Sequence, residues 1–106
     1  SAEDRPALSV CAIATRDADG YCRDLRVSVR AARPVPLRVA EAEAMARGHR
    51  LSDAGLVAAI AEAYARAADP VDDARASAGY RRRLVPVLVR RALADLEDRR
   101  RRAVKV

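Results

Sequence analysis

The chain has no phenylalanine and no tryptophan, and Tyr21, Tyr64 and Tyr80 are its whole aromatic content. A hydrophobic core therefore has to be assembled from small side chains. Of 54 apolar residues, 25 are Ala, and Leu, Val and Ile together supply 23. Burial stabilises by about 25 cal/mol per Å² of apolar surface, so a buried alanine contributes far less than a leucine. A length of 106 residues fits one domain, residues 1–106. Such a chain buries roughly two-thirds of the surface its unfolded form exposes. With so lean a core, the domain is best supported when docked on something larger.

Metal and redox chemistry are poorly supplied. Two cysteines and one histidine, His49, fall short of the four ligands of a structural zinc site. A hairpin turn centred on Ala18–Asp19 would set Cys11 opposite a residue near 26 and Cys22 opposite one near 15. That offset is about 13 Å at the strand rise, whereas a disulfide needs Cα atoms within about 7 Å. Both cysteines are expected to be small, reduced hydrophobes, which suits a cytoplasmic protein. His49, in a Gly-His-Arg loop, is expected to be exposed and lies beside no nucleophile. The four glycines form no phosphate-cradling loop. No run reaches the roughly 18 apolar residues of a membrane span. No charged-then-apolar leader is seen, so no signal peptide is expected.

Leu8 to Arg16 is apolar nearly throughout, as in a strand covered on both faces. Asp17-Ala18-Asp19-Gly20 is hairpin turn chemistry. From Tyr21 to Arg30 the pattern alternates. Tyr21, Leu25, Val27 and Val29 share one face with Arg23, and Cys22, Asp24, Arg26, Ser28 and Arg30 take the other. Pro34 and Pro36 forbid helix, and any strand there is an edge or begins near Leu37. Ala40 to Arg47 predicts a short helix closed by Gly48. Ser52 is the expected N-cap of a second helix reaching about Ala68, striped by Leu56, Ile60, Ala63, Tyr64 and Ala67. Asp69-Pro70 stops it. Ser77 is placed to cap a last helix from Ala78 to about Arg101. Its expected stripe is Tyr80, Leu84, Val87, Leu88, Ala92, Leu93 and Leu96, with a kink at Pro86. Strands followed by helices imply an α+β sandwich.

The net charge of +6 is unevenly placed. Residues 79–106 carry ten Lys and Arg against three acids, and the rest carries 11 against 12. A nucleic-acid module using the C-terminal Arg-rich helix is one reading of that basicity. Against it, no helix-turn-helix signature, zinc spacing or aromatic platform is present. The other readings are a solvated face and a docking surface, where Arg favours paired carboxylate contacts. Asp69, Asp72 and Asp73 cluster, but calcium wants more oxygens in a patterned loop, so they are expected to cap a helix or pair with Arg75. Arg75 and Tyr80 either face a partner or hold the loop and plug the sheet; the structural reading is the stronger.

The segment from Asp69 to Leu93 resembles the end of the C-terminal domain of the FAD-binding (medium) subunit of molybdenum hydroxylases, the family of xanthine dehydrogenases and aerobic carbon monoxide dehydrogenases. The residues that match are Asp69, Pro70, Asp73, Arg75, Ser77, Tyr80, Arg81, Leu84, Leu88, Arg91 and Leu93. Arg5 to Thr15 is similar to that family's opening strand. Asp24 to Val29 with Pro34, Pro36, Leu37 and Arg38 is similar to its second strand and crossover, and Glu41-Ala42-Glu43-Ala44 to its first helix. Two departures are Ala31-Ala32, where the family has a glycine pair, and Pro86. The resemblance implies an antiparallel sheet of three to four strands with three helices packed on one face, in β-β-β-α-α-α order. It implies a parent subunit whose FAD takes electrons from iron–sulfur centres, fed by a molybdopterin site on a large subunit, and passes them to an acceptor. The implied partners are the subunit's own FAD-binding domains, the iron–sulfur small subunit and the molybdopterin large subunit, with no nucleic acid and no membrane. The FAD-binding domains are not in this sequence, so it is expected to bind no cofactor or metal and to have no catalytic residue. Asp73, Arg75, Ser77, Tyr80 and Arg81 are then structural or interface residues. The implied role is to brace the flavin domain and contribute subunit contacts.

Overall fold

The computed structural model describes residues 8–30, 35–68 and 78–104, and for 78–82 and 103–104 it describes the backbone alone. Two strands, β1 (Ser9–Arg16) and β2 (Cys22–Arg30), form an antiparallel hairpin. Three helices follow: α1 (Ala40–Met45), α2 (Ala54–Ala68) and α3 (Ala78–Val104). The class is α+β, as expected, but among the described residues the sheet has two strands and not three or four.

The hairpin turn is built by its own side chain. Asp17 Oδ1 accepts the N–H groups of Asp19 and Tyr21, both at 2.9 Å, and Gly20 takes a left-handed φ of 92°. Such a φ is free of steric cost only without a Cβ. Register then slips by one residue: Thr15 pairs with Asp24, yet Arg16 pairs with Cys22, so Arg23 is extra. This bulge inverts the burial phase of β2. Leu25, Val27 and Val29 point into the core as the alternation predicts, but beyond the bulge it is Cys22 that is buried and Tyr21 that is exposed. β1 is not covered on both faces. Ser9, Cys11, Ile13 and Thr15 face out, with Ile13 57% exposed, while Val10, Ala12 and Ala14 pack inward.

Among the described residues, the absence of a third strand beside β2 has a physical cause. The backbone groups of β2 that point away from β1 find single partners in turn. Val29 exchanges two hydrogen bonds with Leu37, at 2.8 and 2.9 Å, as an isolated bridge. Pro36 has no N–H to extend a ladder there. The Val27 N–H donates to the Glu43 carboxylate at 2.9 Å, and the Val27 carbonyl accepts from the Tyr64 hydroxyl at 2.9 Å. At the far end, Cys22 donates to the His49 carbonyl at 2.8 Å and accepts from the Gly48 N–H at 2.9 Å. The edge is thus closed without a regular strand.

Asp53, not Ser52, caps α2. Its Oδ1 accepts from the Gly55 and Leu56 N–H groups at 3.0 and 3.1 Å, two of the donors a helix start leaves open. The chain enters α2 one residue later than the expectation had it. Helix α3 continues through Pro86 without a break. Its buried seam is Val85, Val89 and Leu93 at i, i+4 spacing, each 0% exposed, while Leu84, Leu88 and Leu96 are half-buried. Val87, assigned to the stripe, is 41% exposed. The seam is rotated because α3 packs against both α2 and β1. The core joins this seam to Ile60, Ala61 and Tyr64 of α2 and to Leu25, Val27 and Val29 of β2. No helix among the described residues is long and apolar enough to cross a membrane.

Candidate functional site

Of the residues singled out from sequence, Asp73, Arg75 and Ser77 lie outside the described residues, as does the Asp69, Asp72 and Asp73 cluster. Tyr80 and Arg81 fall in the first turn of α3, with their side chains outside the described set. His49 is exposed, as expected. Both cysteines are free: Cys22 is buried and Cys11 is exposed, so only Cys22 is a core residue. Cys11 lies opposite Ser28, six residues from Cys22 along β2, so the two are even further out of bridging range than the expected register set them. Burial pushes the Cys22 thiol up, away from the thiolate that a nucleophile requires.

Two polar centres stand out in the described structure. The first is where Tyr64 meets β2. Its hydroxyl donates to the Val27 carbonyl at 2.9 Å, accepts from the Val39 N–H at 3.2 Å and lies 3.4 Å from Glu43 Oε2. The Tyr64 side chain is 0% exposed, and burial pushes its pKa up to about 12. Burial also works to raise Glu43, but hydrogen bonds from Arg38 and from the Val27 N–H outweigh it and hold the carboxyl below its ordinary value. Arg38 grips Glu43 with two bonds, Nη2 to Oε1 at 2.7 Å and Nε to Oε2 at 3.0 Å. A phenol that stays protonated beside a carboxylate that stays charged is a clamp and not a general acid–base pair. It fastens β2, the 37–39 crossover, α1 and α2 at one point. Sequence reasoning placed Tyr64 on a core stripe and Glu43 in a helix start, and missed their meeting. The one available signal was a lone tyrosine in an alanine-rich helix, a residue whose hydroxyl needs a partner once buried.

The second centre is on α3. A groove of about 590 Å³ runs between the start of α2 and the C-terminal half of α3. Leu51, Val57 and Ala94 give it apolar walls, and it is lined by as many acids (Asp95, Glu97 and Asp98) as arginines (Arg90, Arg91 and Arg101). The acids on this stretch are engaged: Asp95 with Arg99 at 2.8 Å, Glu97 with Arg100 at 2.8 Å, and Asp98 with Arg102 at 3.6 Å. Glu97 is buried, and the hydrogen bond from Arg100 holds its carboxyl low despite that burial. Arg16 reaches across from β1 to the Leu96 carbonyl at 3.2 Å. The Arg99–Arg102 run is therefore partly neutralised along its own helix.

Among the described residues, no three His, Cys, Asp or Glu side chains gather as a metal site would require. Gly20 faces the Arg50 guanidinium, which would sit 2.9 Å from an added Cβ and which stacks over the Tyr21 ring at 4.3 Å.

This framework has relatives. It matches Cu,Mo-CO dehydrogenase in its cyanide-inactivated form with a TM-score of 0.73 and 22% identity, covering 88% of this chain and 32% of that one. It matches the carbon monoxide dehydrogenase from Hydrogenophaga pseudoflava that lacks the Mo-pyranopterin moiety with a TM-score of 0.67 and 22% identity, covering 90% and 38%. At that identity the likeness establishes the fold, and the chain spans about a third of each relative's length. No curated protein matches it in sequence. The family model of the CO dehydrogenase flavoprotein C-terminal domain matches residues 1–96. With both its fold and nearly all its length accounted for in this way, the chain belongs to the CO dehydrogenase flavoprotein C-terminal domain family.

Proposed function

We propose that this chain is the C-terminal domain of the FAD subunit of a molybdopterin-dependent oxidoreductase, and that it braces the flavin-binding domains and docks sister subunits. The family match over residues 1–96 carries this reading. In the parent subunit, FAD would take electrons from iron–sulfur centres and pass them to an acceptor, with molybdopterin on a large subunit. The domain's own polar chemistry supports a mechanical role. Tyr64, Glu43 and Arg38 tie elements together, and Cys22 is held as a buried thiol. The free thiols of Cys11 and Cys22 support a reducing, cytoplasmic setting.

The test is to purify the full-length gene product that carries this chain, together with the iron–sulfur and molybdopterin subunits encoded with it. Yellow flavin absorbance and co-purification of all three subunits are the expected result. A full-length product that takes up no added FAD and recruits neither subunit refutes the proposal.

A further inference from the structure

The two edges of the hairpin are finished differently. On the β2 side, Val27 and Val29 turn their N–H and C=O groups away from β1, and Glu43, Tyr64 and Leu37 receive them. Opposed residues of an antiparallel pair exchange both backbone bonds or neither. Ala12 and Val10 stand opposite Val27 and Val29, so they turn their own backbone groups to the other edge. Ala14, two residues on in the same alternation, does likewise. Among the described residues, none of these three has a hydrogen-bond partner for its N–H or its C=O. Proteins guard an open edge with charge, proline or a bulge. Ser9 to Thr15 carries no charge and no proline, and the bulge of this hairpin lies in β2. Arg16, the one charged residue of β1, reaches away to the Leu96 carbonyl at 3.2 Å. On the outer face of the same strand Cys11 is exposed and Ile13 is 57% exposed.

We infer that this edge pairs antiparallel with β1 of a second copy of the chain, about a twofold axis through Ala12. The edge sets the register. With Ala12 opposite its own counterpart, Val10 of one copy meets Ala14 of the other, and all three outward residues exchange backbone bonds. A slip of one residue would set outward groups against inward ones, and a slip of two would leave one of the three unpaired. Side chains keep their faces. Val10, Ala12 and Ala14 stay on the core side, and Cys11 of one copy comes beside Ile13 of the other on the outer side. That is a non-hydrogen-bonded pair, with Cα atoms about 4.5 Å apart. The strand is its own complement in charge. Ser9–Thr15 meets Ser9–Thr15 with no charged residue on either side, so no like charges fall opposite one another. Each exposed Ile13 gains an apolar cover, and a twofold contact of this kind closes without leaving a further edge to extend.

A cysteine pair in the full-length gene product that carries this chain tests it. Ile13→Cys sets position 13 of one copy against Cys11 of the other, within the roughly 4.4–6.8 Å between Cα atoms that a disulfide spans. Mild oxidation is expected to give a covalent dimer on a non-reducing gel, and adding Cys11→Ser is expected to remove it. Thr15→Cys lies on the same exposed face but opposite Ser9 of the other copy, and is expected to give none. Ile13 and Thr15 are both exposed, so neither substitution disturbs the core, and circular dichroism checks that each variant is folded. A crosslink that survives Cys11→Ser, or that forms equally with Thr15→Cys, would reduce the effect to random collision and overturn the inference. So would an Ile13→Cys product that stays uncrosslinked, the result expected if a segment of another subunit occupied the edge. The inference goes beyond the flavin-subunit reading and does not rest on it: the crosslink is read on the gel whether or not the product takes up FAD.

Discussion

Replacing Tyr64 by phenylalanine removes one oxygen atom and leaves the ring in the core. That oxygen serves the Val27 carbonyl at 2.9 Å and the Val39 N–H at 3.2 Å, bonds that span 37 and 25 residues of sequence. Val27 is 0% exposed, so its carbonyl gains no water when the hydroxyl goes. Stranding a buried acceptor costs about 1–3 kcal/mol. Val39 is half-buried and recovers part of its loss from solvent. A total near 2 kcal/mol is expected for Tyr64→Phe, a large share of the roughly 5–15 kcal/mol that holds a domain. Urea unfolding followed by far-UV circular dichroism reads this as a fall in midpoint at constant slope. Linkage supplies a second readout. The folded pKa of about 12 exceeds the ordinary tyrosine value of 10.0, so the unfolded chain loses its proton first. Tyr64 thus contributes stability that is fully present below pH 10.0 and is lost as pH rises toward about 12. Tyr64→Phe should flatten the alkaline limb of the stability curve and remove the tyrosine ionisation at about 12 from the absorbance titration. A midpoint within about 0.5 kcal/mol of the parent, the scatter of ordinary surface substitutions, together with an unchanged alkaline limb would refute the clamp.

Glu43→Gln gives up the charge that Arg38 and the Val27 N–H hold, and about 2 kcal/mol of lost stability is expected near neutral pH from the urea midpoint. Because the folded Glu43 carboxyl lies below its ordinary value, its contribution is present above that value and fades as pH falls through the folded one, so the variant should show a shallower acid limb. Val89→Ala, in the fully buried seam, is expected to cost about 2 kcal/mol, whereas Val87→Ala at an exposed site should cost less than about 0.5 kcal/mol. The reverse order of thermal midpoints would return the seam to the apolar stripe read from sequence. Pro86→Ala restores an N–H inside α3 and is expected to raise stability by about 1–3 kcal/mol in the same urea assay; a loss would show that the proline ring is needed where it packs.

Much of this protein is written locally. The Asp17–Gly20 turn, the C-terminal end of α2, the C-terminal helix and the succession of strands and then helices follow from turn chemistry and period, which act over a few residues. The ordered run of matching residues along the chain also pointed to its family. Tertiary structure decided what depends on partners distant in sequence. The bulge at Arg23 reversed burial around Tyr21 and Cys22, because strand register answers to both arms of the hairpin. Contact with both α2 and β1 turned α3 so that Val85, Val89 and Leu93 face inward and Val87 does not. The outer edge of β2 found Leu37, Glu43, Tyr64 and the Gly48–His49 loop in place of a third strand. A chain without Phe or Trp announces a lean core from its composition. That a single tyrosine hydroxyl should join four of its elements depends on where the backbone leaves a carbonyl and an N–H unserved, and only the folded chain brings those groups together.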